Sequence, residues 1–189
     1  MTGLLLAGGR STRMGRDKAL LDWTGEPLAA RVTRVLASLC AEVVVASGDG
    51  RRLGWLGLPQ VADAAARAGP LGGLVAGLER AAHPLVAVVA VDMPHASAPV
   101  LRLLAERWEG EPAVVARADG RLQPLHAVWA GAAAPALRAR LAAGHYSVGE
   151  AARALGAQVG EPGQWAPADP SGRFARNLNR PDDLPGGRR

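Results

Sequence analysis

Lys18 is the residue whose type is hardest to explain by chance, because it is the single lysine in a chain with 21 arginines. It ends a segment rich in glycine and arginine that begins at Leu6. Arginine presents a broad planar fork, whereas lysine presents a compact ammonium group that fits between phosphate oxygens. We therefore interpret Lys18 as a phosphate ligand. The alternative is that one lysine survives by chance on a solvated surface loop.

Two glycines in the same segment suit it to anion binding. Gly8 and Gly9 follow an apolar run, and glycine lets backbone N–H groups approach a phosphate closely. Arg13 and its basic neighbours add positive charge. The segment lacks both the glycine-lysine-serine/threonine ending of a standard phosphate loop and the three-glycine dinucleotide fingerprint. It predicts a different kind of nucleoside triphosphate site, with ordinary turn glycines as the alternative.

Asp92 could hold a magnesium ion. It follows the run from Leu85 to Val91, which has the strongest central-strand pattern in the chain. Magnesium usually takes one or two protein carboxylates and completes its shell with phosphate and water. We predict that Asp92 holds Mg²⁺ against the substrate phosphates. A turn or helix-cap aspartate is the alternative.

Two further segments carry candidate binding residues. Gly69 opens a glycine-rich helix start whose backbone donors would favour an anion, although close packing against the sheet explains the glycines equally well. Asp63, shortly before it, could accept hydrogen bonds from a base or a ribose. The only two asparagines of the protein, Asn177 and Asn179, stand together near the C-terminus. Their amides predict a hydrogen-bonding role, with turns and caps as the alternative.

The elements that must position these residues alternate between strands and helices. The sequence predicts strands at residues 2–7, 43–45, 60–62, 85–91, 113–116 and 125–129. It predicts helices that start near Pro27, Gly69, Pro99, Pro135 and Ser147, and an irregular chain from residue 156 to Asn177. This order indicates a mainly parallel central sheet with helices on both faces. Ligands of such sheets bind at the carboxyl ends of the strands, where the candidate residues lie.

The bulk properties narrow the class of protein. At 189 residues, 49% of them apolar, the chain fits one domain, residues 1–184, followed by a flexible tail at 185–189. It has neither a membrane-length apolar run nor a secretory signal, so we expect a cytoplasmic protein. The net charge is +5, but the arginines are scattered and aromatics make up only 4%, which disfavours nucleic acid as a partner. The lone Cys40 is expected to lie in the core.

Four motifs, taken in chain order, resemble the molybdenum cofactor guanylyltransferases, the MobA family. They are residues 6–21, 69–74, 92–94 and 177–184. The first motif is shared by many nucleotidyltransferases, and its double glycine, the helix start at 69–74 and the asparagine-leucine-asparagine ending narrow the resemblance to this family. It implies a Rossmann-like three-layer α/β sandwich that transfers GMP from Mg-GTP to molybdopterin. The products would be the guanine dinucleotide cofactor and pyrophosphate.

The resemblance also implies roles for individual residues. It assigns GTP contacts to Leu6, Ala7, Gly8 and Lys18, places Asp63 near the guanosine, and places Asp92 on both GTP and magnesium. From the residue types we add Gly9 and Gly69 to the nucleotide site, and we group Arg13 with Lys18 and Asp92 as catalytic. We expect the pterin to be held by the C-terminal third, through Gln123, His126, Asn177 and Asn179, with Arg117 nearby.

One position departs from the family pattern. Some members place a nucleotide-contacting asparagine directly after the second strand, where this chain has Ala46 followed by Ser47. The alternatives to guanylyl transfer are cytidylyl transfer to the same pterin, nucleotidyl transfer to a sugar phosphate, and a non-catalytic nucleotide-binding or cofactor-delivery protein. The expected partners are GTP and molybdopterin, with transient contacts to molybdenum-insertion proteins or molybdoenzymes and none to nucleic acid or membrane.

Overall fold

The fold is built on a central β-sheet. The structure is a computed structural model that describes residues 1–8, 17–178 and 183. The strands are β1 (Thr2–Leu6), β2 (Asp22–Trp23), β3 (Glu26–Pro27), β4 (Glu42–Gly48), β5 (Gln60–Ala62), β6 (Leu85–Ala90), β7 (Ala113–Ala118), β8 (Arg121–Ala130) and β9 (Gln158–Gly160). The helices are α1 (Leu28–Ala37), α2 (Pro70–Arg80), α3 (Ala98–Glu106), α4 (Ala134–Ala142), α5 (Val148–Ala154) and α6 (Pro162–Trp165).

Seven strands form the main sheet in the order β5-β4-β1-β6-β8-β7-β9. Strand β8 runs antiparallel to both of its neighbours, and the other strand pairs are parallel. The prediction of a mainly parallel sheet is therefore confirmed. The chain leaves β1 towards β4 on one side and later returns to β6 on the other side. Ligands of open α/β sheets bind at such a reversal of strand order.

Helices cover both faces of the sheet because side chains alternate along each buried strand. Leu4 and Leu6 of β1 pack in the cluster that contains α2, α4 and α5, whereas Leu5 packs in the cluster that contains α1. Helix α2 lies especially close to β1, since a Cβ on Gly77 would overlap the Leu4 side chain. The predicted three-layer arrangement is confirmed, and close packing explains at least this glycine of α2.

The sequence predicted an irregular chain after α5, and this prediction is wrong. The segment contains β9, which pairs with β7, and the one-turn helix α6. Helix α6 is capped by Glu161, and its Trp165 packs edge-on against Phe174. Elements of three and four residues are too short to show a period of two or 3.6, so tertiary contacts decide them.

Two other expectations can be compared with the structure. Cys40 is half-buried and packs against the α1 cluster, and burial raises the pKa of its thiol to about 11. Such a thiol stays protonated and unreactive at neutral pH. Cys40 nevertheless lies at the edge of the core and not within it, which corrects the expectation. Within the described ranges, none of the helices is both long enough and apolar enough to span a bilayer.

Candidate active site

Three distant parts of the chain meet at Lys18. Its Nζ donates to Asp92 Oδ2 at 2.9 Å and to the carbonyl of Leu178 at 2.7 Å. The N–H of Leu178 in turn donates to the backbone carbonyl of Asp92 at 2.8 Å. The Lys18 and Asp92 side chains are 20% and 22% exposed, so both remain accessible from the protein surface. The arrangement joins the first, third and fourth sequence motifs.

Sheet order explains why these residues meet. Strands β1 and β6 are parallel neighbours, with Leu6 opposite Ala90. The pairing continues beyond both strands, because the N–H of Val91 donates to Leu6 O at 2.9 Å. On the other side, the N–H of Ala7 donates to Ala46 O at 2.9 Å. The carboxyl ends of β4, β1 and β6 therefore lie side by side, as the position of ligands in such sheets requires.

A short capped turn aims Lys18. Residues Lys18–Leu20 form one turn of 3₁₀ helix, and Asp17 Oδ1 accepts the N–H of Ala19 at 3.0 Å. Ala19 is buried in the α1 cluster and fixes the turn against the core. Lys18 thus projects from an anchored backbone. Lys18 and Asp92, which the sequence singled out separately, therefore lie side by side.

Asp63 lies beneath the start of the glycine loop, the name used here for residues 8–17. Its N–H donates to Gly48 O at 3.1 Å, and its Oδ1 is buried without a hydrogen-bond partner among the described residues. A Cβ on Gly8 would stand 3.0 Å from that oxygen, and one on Gly73 would stand 3.2 Å from it. Burial raises the pKa of Asp63, and the nearby Arg52 opposes the rise. The acceptor is well placed for a donor that a ligand brings.

The position that departs from the family pattern lies under α2. Ala46 is fully buried, and a Cβ on Gly73 of α2 would stand only 3.1 Å from its Cβ. Ser47 is also buried, and its Oγ lies 3.4 Å from Asp49 Oδ1. The site is therefore built here without a side-chain contact from Ala46.

Arg52 is a site residue that the sequence analysis missed. Its guanidinium donates to the carbonyl of Ala7 and to the carboxylate of Asp17, and its Nε donates to Ser47 O at 3.2 Å. These contacts lie at the carboxyl ends of β1 and β4. The signal available in the sequence was its place, two residues after the Gly48-Asp49-Gly50 segment that follows the second predicted strand.

A cavity of about 720 Å³ is lined by residues that neighbour Asp92 and Leu178 in the sequence. It is lined by Met93, the residue after Asp92, and by Pro70 at the start of α2. Gln123 and Asn177, both expected at the pterin site, line the same cavity. So does Tyr146, which is 52% exposed and is the only tyrosine of the chain. The sequence analysis overlooked Tyr146, although its rarity was visible. The volume is in the range of small-molecule sites.

His126 does not belong to this cavity, which corrects the expectation that its ring contacts the pterin. The side chain is fully buried and stacks on Phe174 with ring centroids 4.8 Å apart. Its Nε2 accepts the N–H of Ser97, the N-cap residue of α3, at 3.0 Å. Desolvation lowers the pKa of His126 to about 4. The residue supports the start of α3 as a neutral imidazole.

The burial of His126 makes stability depend on pH. The unfolded chain protonates this imidazole near the ordinary pKa of 6.5, whereas the folded protein resists protonation until about pH 4. The contribution to the free energy of unfolding is complete above pH 6.5 and is lost as the pH falls towards 4. We expect H126Q, which keeps an acceptor for Ser97, to flatten the fall of Tm with pH in this window. An equally steep fall in H126Q would contradict this explanation.

The remaining candidate residues take several positions. Leu6 is buried at the end of β1, and Gly69 is the N-cap of α2 with a φ of +60°, a conformation that favours glycine. Arg117 forms an ion pair with Glu161 at 3.1 Å, which ties β7 to α6. Gly9, Arg13 and Asn179 lie outside the described residues, as does the tail at 185–189.

The residues around Asp92 suit a magnesium ion that takes few of its ligands from the protein. Within the described part of the chain, no group of three or more His, Cys, Asp or Glu side chains could hold a metal ion. A closed protein cage is therefore absent from these residues. A single partly exposed carboxylate suits a magnesium ion whose other ligands are phosphate oxygens and water.

The chain is similar to known nucleotidyltransferases along almost its whole length. The family model of the MobA-like NTP transferase domain matches residues 3–159. A probable molybdenum cofactor guanylyltransferase of Chloroflexus aggregans is 38% identical, over 97% of this chain and 91% of the relative. A molybdenum cofactor guanylyltransferase of Rhodobacter capsulatus is 37% identical, over 97% and 93%.

A solved structure shares the fold. Molybdopterin-guanine dinucleotide biosynthesis protein A from Archaeoglobus fulgidus superposes with a TM-score of 0.84 and 24% identity, over 97% of this chain and 95% of that one. At this identity the likeness concerns the fold alone.

Proposed function

The chain belongs to the MobA-like NTP transferase family, and from this membership we propose that it is a molybdenum cofactor guanylyltransferase. It transfers GMP from GTP to molybdopterin, which gives the guanine dinucleotide cofactor and pyrophosphate. The observation that carries the proposal is the meeting of Lys18, Asp92 and Leu178 beside the cavity at Met93. It supports a site in which Lys18 binds phosphate and Asp92 faces the metal, next to a cavity that could take the acceptor.

The reaction needs no nucleophile from the protein. A phosphate oxygen of molybdopterin attacks the α-phosphorus of GTP in line, the new P–O bond forms, and the bond to the bridging α–β oxygen breaks. Pyrophosphate leaves with the bonding electron pair. Catalysis then depends on positioning the two substrates and on stabilising negative charge in the transition state and the leaving group.

Lys18 supplies one part of that stabilisation. In the structure its ammonium is balanced by Asp92 at 2.9 Å, and we propose that the triphosphate of GTP competes for it. Asp92, released from Lys18, is then the residue that would hold Mg²⁺. Bound magnesium would neutralise phosphate charge and favour departure of pyrophosphate. Gly8 and, by proposal, Gly9 and Arg13 complete the phosphate contacts.

The guanosine would lie over Asp63. Its buried Oδ1 has no hydrogen-bond partner among the described residues, and the adjacent Gly8 and Gly73 have no side chain that would crowd it. A carboxylate accepts well from the N–H groups of guanine or from a ribose hydroxyl. Leu6, Ala7 and Gly69 would frame the nucleotide through their backbone.

Molybdopterin would occupy the cavity lined by Gln123, Tyr146 and Asn177. The amides of Gln123 and Asn177 can pair with the polar edge of a pterin, and Tyr146 offers an aromatic face for its planar ring. A contact between Asn179 and the pterin also remains a proposal. Contacts with molybdoenzymes, a cytoplasmic location and a single domain over residues 1–184 also remain predictions.

Replacing Tyr146 by alanine tests the acceptor cavity. We expect a KM for molybdopterin that is roughly 10-fold higher, because stacking of an aromatic ring on a base-like ring is lost. The KM for GTP should stay unchanged. Tyr146→Phe is the matched control, since it keeps the ring and removes only the hydroxyl. A molybdopterin KM that is normal in Tyr146→Ala would remove this residue from the acceptor site.

The function itself is tested by pyrophosphate release from GTP, CTP, ATP and UTP with Mg²⁺ and molybdopterin. GTP should be the preferred substrate, and the guanine dinucleotide should form in equal amount to pyrophosphate. Preference for CTP would indicate cytidylyl transfer to the pterin. Turnover only when a sugar phosphate replaces molybdopterin would indicate nucleotidyl transfer to a sugar phosphate. Nucleotide binding without any turnover would indicate a delivery protein.

A further inference from the structure

The guanidinium of Arg52 touches three separate backbone or side-chain groups of the nucleotide site. Two of its nitrogens donate to the carbonyl of Ala7 and to Asp17 Oδ2, and its Nε donates to Ser47 O at 3.2 Å. Ala7 stands directly before the glycine loop, and Asp17 is the last residue of that loop. One side chain therefore ties the two ends of the loop to each other and to the end of β4.

The backbone that presents Arg52 is itself fixed. Asp49 Oδ1 accepts the N–H groups of Arg51 at 2.9 Å and of Arg52 at 2.8 Å. Gly50 has a φ of +79°, and a Cβ there would stand 3.1 Å from the backbone nitrogen of Ala62. This turn holds the Arg52 backbone in place next to β5. The side chain starts from a defined point, and it is only 28% exposed.

The contact with Asp17 leads on to Lys18. While one carboxylate oxygen of Asp17 binds Arg52, the other accepts the N–H of Ala19 and caps the turn that begins with Lys18. Lys18 then reaches Asp92 from this turn. A continuous set of directional bonds thus runs from Arg52 through Asp17 to the phosphate-binding ammonium.

We propose that Arg52 is a positioning residue, which sets both ends of the glycine loop and, through Asp17, the place of the Lys18 ammonium. The proposal rests on the proposed function in taking GTP as the ligand. A planar guanidinium can donate in three directions at fixed angles, whereas a lysine ammonium on a flexible stem cannot reproduce that fork. Charge alone therefore does not replace Arg52.

The test measures the Kd for GTP by calorimetry in R52Q, R52K, D17N and the double variant R52Q/D17N. Loss of a partner that orients a ligand-binding group typically weakens binding about 10- to 100-fold in metal sites, and we expect a similar factor here. R52K should bind as weakly as R52Q. Because Arg52 and Asp17 share one ion pair, the loss in the double variant should be smaller than the product of the two single losses.

The matched control is R51Q. Arg51 is the neighbouring exposed arginine, and its side chain forms no hydrogen bond or ion pair with the described residues. R51Q removes the same charge one position away and should bind GTP like the wild type. Thermal unfolding of each variant identifies any that fail to fold, and D17N tests the same connection independently of Arg52.

Two outcomes would overturn the inference. One is a wild-type Kd for GTP in R52Q. The other is a double variant whose loss equals the product of the two single losses, because Arg52 and Asp17 would then act on GTP binding independently. The proposed function fails in a different way, if the wild-type protein binds GTP but transfers no GMP to molybdopterin. The binding measurements on Arg52 still decide the inference in that case.

Discussion

Lys18→Arg should lower kcat/KM for GTP about 100- to 1000-fold, although the positive charge is kept. This is the range lost when one preorganised donor to a transition-state anion is removed. In the structure the ammonium fits between Asp92 Oδ2 at 2.9 Å and Leu178 O at 2.7 Å, and the side chain is only 20% exposed. A guanidinium is larger and planar, so it would displace the Leu178 segment or miss the phosphates.

Steady-state kinetics and thermal unfolding of the same sample check this expectation. The matched control is Arg102→Lys, the reverse exchange at an exposed position of α3, which should leave turnover unchanged. An unchanged Tm together with lost activity would locate the effect in the site. Near-normal turnover in Lys18→Arg would refute the assignment of Lys18 as a phosphate ligand.

Asp92→Asn should reduce turnover by a factor of about 1000 and should abolish its dependence on magnesium. The exchange keeps the size of the side chain and the backbone carbonyl that accepts from Leu178 at 2.8 Å. It removes the charge that pairs with Lys18 and that magnesium requires. Loss of one carboxylate therefore affects the metal and the lysine together. The factor is of the order expected for a lost electrostatic contribution to the transition state.

Titration of turnover and of GTP binding with Mg²⁺ measures this effect. In the wild type, magnesium should strengthen GTP binding, whereas in Asp92→Asn it should have no influence. Glu106→Gln, an exposed exchange of the same kind near the end of α3, is the control and should retain the magnesium response. Magnesium-stimulated turnover that persists in Asp92→Asn would show that another group holds the metal.

The sequence was informative where the signal is local. The buried strands β1 and β6 could be predicted because uninterrupted apolar runs end at Gly8 and at Asp92. Lys18 and Asn177 could be singled out from the sequence alone, because lysine and asparagine are rare in this chain. The rule that ligands bind at the carboxyl ends of strands then placed these residues at one edge of the sheet.

The sequence was uninformative where a contact joins distant parts of the chain. It gave no reason to expect that the carbonyl of Leu178 would accept from Lys18, 160 positions away. It suggested a ligand contact for His126, which is fully buried behind α3. Residue type shows what a histidine can do, but burial decides whether a ligand can reach it.

The sequence by itself determined which residues are candidates for the chemistry, a lysine proposed for phosphate and a carboxylate proposed for a metal, and it determined the α/β order that brings strand ends together. Tertiary structure alone decided how these groups are held, through the three-way contact of Arg52, the packing of Ala46 under α2, and the place of Tyr146 in the cavity. The physical reason is that apolar periodicity reports neighbours along the chain. Side-chain partners depend instead on strand order and helix packing, which only the folded protein fixes.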